Sequence, residues 1–160
     1  MTETTINQFE QLIEGILEQQ YGFCDDFLAS ETAAGLRQNL LNFREEGLMR
    51  PAGIGRKADF QKNEKIRGDV IRWIENDTTD LHERAFLDKV QTFSQYLNRS
   101  CYTSINDFEF HYAYYEVGSF YKKHIDQFKS EGGRKFSLVF YLNEDWTAND
   151  GGNIRLYLKL

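Results

Sequence analysis

The sequence predicts an α+β fold, with helices packed on an antiparallel sheet, and three observations lead there. Before Asn106, apolar residues recur mainly at the three- and four-residue steps of helices. After Asn106 the period changes to two, in aromatic and β-branched runs separated by glycines. Helices come first and consecutive strands afterwards, the order of folds that segregate helices to one side of an antiparallel sheet.

The first helix is expected from Thr5, which has capping-box spacing to Gln8, with Ile6, Phe9, Ile13, Ile16 and Leu17 as one apolar stripe. Ser30 is the expected cap of a second helix through Leu36, Leu40 and Phe43, ending near Gly47. A glycine-punctuated loop, PAGIGRKADF (residues 51–60), follows. IRGDVIRWIE (66–75) alternates enough for a strand, and residues 80–98 return to helix with Phe86, Val90, Phe93 and Leu97 on one stripe. Three further strands are expected in DFEFHYAYYEV (107–117), RKFSLVFYLN (134–143) and NIRLYLKL (153–160). The whole reads as a single domain over residues 1–160, with helical support over 1–50 and strands from about residue 66, mainly over 107–160. The last strand is still alternating at Leu160, so the chain reads as cut within a sheet.

Bulk properties exclude several function classes. A hydrophobic fraction of 41% is low, but 13 Phe, 9 Tyr and 2 Trp supply enough apolar area for one core. The net charge of −6 comes with no basic block, which argues against nucleic acid or anionic membranes as primary partners. Cys24 and Cys101 are far apart and belong to no C-x-x-C motif, as expected of reduced thiols in a cytosolic protein. The start, MTETTINQFEQ, has neither the basic nor the apolar region of a signal peptide, and no segment has the length of a membrane span. A soluble, cytoplasmic protein is the expectation.

The chemistry concentrates in GSFYKKHIDQF (118–128). On a strand, His124 and Asp126 at i and i+2 project from one face, so an imidazole and a carboxylate can reach a common ion. With a second histidine they would complete the facial triad of a non-haem Fe(II) oxygenase, which leaves positions open for substrate chemistry. Taken alone, H-x-D is too short to decide, since a His and an Asp beside lysines also suit a solvated turn.

Read together, YYEVGSFYKKHID, RKFSLVFYLNEDW and DGGNIRLY resemble the Fe(II)/2-oxoglutarate dioxygenases of the prolyl 4-hydroxylase superfamily. IRGDVIRWIE sharpens the resemblance toward the oxygen-sensing prolyl hydroxylases and their bacterial relatives, and the likeness runs from about residue 20 onward. It implies a double-stranded β-helix, or jelly roll, supported by the N-terminal helices. It also implies His124 and Asp126 as the first two iron ligands, with Fe(II), 2-oxoglutarate and O2 as cofactors and cosubstrates and ascorbate as a supporting reductant. Tyr115 would line the 2-oxoglutarate pocket, the Tyr141 hydroxyl would bond the distal carboxylate of 2-oxoglutarate, and Tyr121 would lie near the metal. Arg134 is expected at the substrate mouth, and Asp69 at the substrate edge or behind the site. The residues by themselves allow a blander reading. A strand tyrosine is commonly packing, and Arg67 and Asp69 could be a surface ion pair worth little. GIGR (53–56) lacks the lysine and setting of a phosphate loop.

In the family the second iron-binding histidine and the arginine that anchors 2-oxoglutarate follow the G-G-x-x-x-L-Y strand, and neither is found before Leu160. His82 is expected on the surface of a helix. His111 lies four strand residues from Tyr115, roughly 13 Å away, and is expected outside the metal sphere. The expected function is therefore prolyl hydroxylation of a protein by a C-terminally truncated dioxygenase, with weak activity from these residues alone. Two alternatives stand beside it: a non-catalytic jelly-roll binding module, and a cupin-like metalloprotein that recruits His111.

Overall fold

A computed structural model describes residues 1–53, 67–125 and 135–158. They cluster into two compact units, one of Met1–Gly35, Thr79–Asn106 and Asn153–Leu160, the other of Leu36–Thr78 and Asp107–Gly152.

The first unit is built on two helices, α1 (Glu3–Gln19) and α3 (Leu81–Cys101). Helix α1 starts earlier than the capping-box spacing suggests. Thr2 is the cap, its Oγ1 accepting from the Thr5 N–H at 3.2 Å, which places Thr5 inside the helix. Gln8 instead donates to the Asp26 carbonyl at 2.7 Å and ties the following loop to the helix. Phe9 and Ile13 are buried, but Leu17 is 78% exposed. At about 100° per residue Leu17 lies some 80° around the helix from Phe9, off the buried face. Phe9 packs against Phe93 (centroids 4.7 Å) and Phe27 (5.9 Å), and the four apolar positions expected on α3 are all buried. Asp80 caps α3, accepting from the His82 and Glu83 N–H groups at 3.0 and 2.9 Å. His82, expected on the surface, is half-buried because it packs against the backbone of Gly35.

Helix α2 (Ser30–Glu45) runs from the first unit into the second. Gly47 (φ +70°) ends it, donating to Arg44 O while Leu48 donates to Phe43 O. These are the two bonds of a left-handed glycine stop.

The second unit holds an antiparallel three-stranded sheet in the order β1 (Arg50–Pro51), β2 (Val70–Ile74), β3 (Phe110–Tyr114). On one face, cross-strand neighbours Arg72 and Tyr112 receive Phe43 of α2, with the guanidinium 4.2 Å above the Phe43 ring and the Tyr112 ring 5.7 Å from it. On the other face Trp73 meets His111 edge-on at 5.0 Å.

Two expected strands do not form. Among the described residues 135–158 there is no strand. Their period-two pattern survives as alternating exposure, Leu138, Phe140 and Leu142 half-buried and Val139 and Tyr141 exposed. Alternation defines two faces, but a strand also needs a hydrogen-bonded ladder, which side-chain pattern alone does not provide.

Candidate active site

The site is assembled by an interruption in one strand pairing. Val70 pairs with Tyr114, so an unbroken register would bring Arg67 to residue 117. Arg67 bridges to Tyr121 instead, because Tyr115–Gly118 loop out as four extra residues on the β3 side. The loop closes with Ser119 N–H donating to Glu116 O (2.9 Å), and Gly118 takes φ +80°. Pairing then resumes, with Gly68 N–H donating to Phe120 O at 3.0 Å. Gly68 eases this approach, since a Cβ there would lie 3.1 Å from Cβ of Ser119, a tight contact.

Arg67 and Asp69, two apart on one extended segment, face the same way. Arg67 Nε and Nη2 meet Asp69 Oδ1 and Oδ2 at 2.7 and 2.5 Å, a fork-to-fork pair. This is not a surface pair: the side chains are 11% and 0% exposed. Asp69 is thus buried rather than exposed. Burial works against the Arg67 charge, but the bonds and charge of Asp69 more than offset it and raise the guanidinium pKa.

The Arg67 guanidinium also lies over the Tyr121 ring, 4.3 Å from its centroid. Tyr121 in turn stacks on His124, centroids 3.6 Å apart and planes 14° from parallel. His124 Nδ1 is 2.7 Å from the Lys122 carbonyl oxygen. A carbonyl only accepts, so Nδ1 carries the hydrogen and the lone pair of the neutral ring sits on Nε2, the arrangement of a metal-ligating histidine.

Tyr115 stands in the same neighbourhood. Its phenol pKa is pushed up to about 12, first by burial, then by the negative charge of Asp69 and by Tyr121 and Tyr141, with Arg67 opposing. Tyr141 donates its hydroxyl to Gly152 O at 3.0 Å across a tightly bonded turn. In that turn Trp146 Nε1 donates to Gly151 O (2.7 Å), and Thr147 N–H and Oγ1 donate to Asp150 (2.7 and 2.8 Å). Gly151 and Gly152 have φ +72° and +75°, the left-handed backbone that glycine adopts in a turn without steric cost. Arg44 at the end of α2 pairs with Glu116 beside Tyr115, its Nε at 3.0 Å, and so braces the looped-out segment.

Asp69, Tyr115, Tyr121 and His124 are therefore gathered, with Tyr141 close enough to Tyr115 to act on its charge. Asp126 and Arg134 lie outside the described residues, as does most of the 53–56 glycine loop. Among the described residues no three His, Cys, Asp or Glu side chains gather as a metal would require. His111 is engaged with Trp73 on the sheet. Sequence reasoning missed Arg67 as a site component. Its signal was R-x-D on a strand beside a glycine, a pattern compatible with a buried fork as well as a surface pair.

The family model described as the 2OG-Fe(II) oxygenase superfamily matches residues 110–160, which include Tyr115, Tyr121, His124 and Tyr141. This C-terminal third of the chain is thus similar to that superfamily. It is 27% identical over 149 residues to Egl nine homolog 1 of Homo sapiens, covering 86% of this chain and 34% of that protein. The same identity and coverage of this chain hold for Egl nine homolog 1 of Rattus norvegicus and of Mus musculus, with 42% and 36% of those proteins covered. The chain thus spans well under half the length of these relatives. Its fold is similar to a crystal structure of a Pseudomonas putida prolyl-4-hydroxylase, with a TM-score of 0.67 at 24% identity over 75% of this chain and 62% of that one.

Proposed function

We propose that these residues form part of a dioxygenase dependent on Fe(II) and 2-oxoglutarate that hydroxylates a prolyl residue of a protein. One observation carries the reading: within the family-matched segment, His124 is held by a stack on Tyr121 and by an Nδ1 bond to the Lys122 carbonyl, a setting in which Nε2 would be the nitrogen offered to a metal. The donor types fit the metal, since an imidazole nitrogen and the Asp126 carboxylate suit Fe(II). A second histidine and an arginine for 2-oxoglutarate would come from outside these 160 residues, completing a jelly roll. When bound, the iron and 2-oxoglutarate supply the oxidation: 2-oxoglutarate, O2 and a C–H bond are converted to succinate, CO2 and a C–OH bond.

The protein's part is binding and orientation. Tyr115, kept protonated by its surroundings, offers an O–H donor and no negative charge to an incoming dicarboxylate. Tyr141 would exchange the Gly152 carbonyl for the distal carboxylate, a charged and stronger acceptor. Arg134 would face the substrate, and Asp69 would support the site through Arg67. A cytoplasmic location and ascorbate as reductant belong to the same reading.

The test is incubation of the chain with Fe(II), 2-oxoglutarate, ascorbate and prolyl-containing peptides, with imidazole added as a further nitrogen ligand. Succinate release and a peptide mass gain of one oxygen are expected, both lost in His124→Ala. Metal-loaded protein that consumes no 2-oxoglutarate under these conditions would instead support a non-catalytic binding module.

A further inference from the structure

We infer that Arg67 is a positioning residue for His124, acting through the Tyr121 ring and fixed in plane by buried Asp69. The inference rests on the reading of His124 as a metal ligand. His124 is exposed, follows the last bridge of the sheet by three residues and has an 83% exposed neighbour in Ile125. A side chain so placed would ordinarily lose rotamer entropy on being ordered without gaining much contact. Here the Tyr121 stack and the Lys122 carbonyl restrain it, and the stack is only as rigid as Tyr121 itself. Tyr121 is half-buried, its backbone is held opposite Arg67, and its ring lies against the Arg67 guanidinium.

Arginine suits this position for a physical reason. Its planar fork satisfies both carboxylate oxygens of Asp69, while the flat face of the same group lies over an aromatic ring. A lysine could supply the charge but not both contacts. Asp69, with a side chain wholly out of water, keeps the guanidinium from rotating, so the order Asp69, Arg67, Tyr121, His124 carries rigidity from the interior to the exposed imidazole. Supports of this kind behind a ligand are typically worth about 10- to 100-fold in metal affinity.

The test is NMR of the His124 ring in the 160-residue chain, with Mn2+ as a paramagnetic probe. Removing Arg67 alone strands a buried carboxylate and risks unfolding, so the main variant is the apolar pair Arg67→Met with Asp69→Leu. Tyr121→Leu and Tyr121→Phe serve as companions. In the unmodified chain the ring protons should show the upfield shift of a stacked ring, and the nitrogen shifts should report hydrogen on Nδ1. The Arg67/Asp69 double variant and Tyr121→Leu should lose the upfield shift and need about 10- to 100-fold more Mn2+ to broaden His124. Tyr121→Phe should keep the upfield shift. A folded double variant with His124 shifts and Mn2+ response unchanged would overturn the inference. An unmodified chain whose stacked His124 depends on Arg67 but ignores Mn2+ would uphold the clamp and refute the metal reading on which it rests.

Discussion

Tyr115 shows what the site does to a single residue. Burial and then the Asp69 carboxylate disfavour its phenolate, which pushes its pKa up to about 12 from an ordinary value of 10.0. The folded chain therefore holds a proton between pH 10 and 12 that the unfolded chain releases, so this contribution to stability is whole below pH 10 and is lost as pH rises through 12. Because 45% of Tyr115 remains exposed, solvent screening reduces its size. Alkaline titration at the phenolate absorbance band should lose its component near pH 12 in Tyr115→Phe. The stability of that variant should also fall less between pH 10 and 12 than that of the parent; equal slopes would show that Tyr115 is not the shifted group. At this scale motif spacing picked out His124 and the tyrosines as candidates, and the structure brings Tyr115, Tyr121 and His124 into one neighbourhood. It was not informative about the burial of Arg67 and Asp69. R-x-D reports that two side chains share a face but not that a second segment, Ser119–Tyr121, covers it.

Among the elements, helices were more legible than strands, though their first residues were not: α1 starts at Glu3 with Thr2 as cap, and Ser30 lies within α2. Gly47 could be read as a helix stop because few other residues adopt a left-handed stop cheaply. Strands depend on distant partners, so the alternation in 135–158 did not reveal whether a ladder forms there. Helix α2 carries a glycine whose reason appears only on packing. In open space Gly35→Ala would stabilise the helix by about 1 kcal/mol. Here the added Cβ would lie 2.1 Å from Cγ of His82, so overpacking should reverse the sign and destabilise by about 1–3 kcal/mol. Urea denaturation of Gly35→Ala, His82→Ala and the double variant checks this. The cost of the first substitution should largely vanish in the His82→Ala background, and a cost that persists there would mean the glycine serves something other than clearance.

At the scale of the whole molecule, every described candidate site residue belongs to the unit of Leu36–Thr78 and Asp107–Gly152. The family match begins only at residue 110, yet the buried pair that backs His124 comes from Arg67 and Asp69, on the far side of α3 in sequence. The site is thus made by long-range strand pairing, which is why composition and periodicity outlined the fold class but only a structure joins R-x-D to Tyr121 and His124. The central claim is that His124, presented by this stack, holds iron for 2-oxoglutarate chemistry. Its most direct test is an anaerobic titration of the chain with Fe(II) and 2-oxoglutarate, followed by visible charge-transfer absorption. The account predicts a band that needs both components, saturates, and is absent in His124→Ala. A band unchanged in His124→Ala, or none at saturating Fe(II) and 2-oxoglutarate, would contradict it.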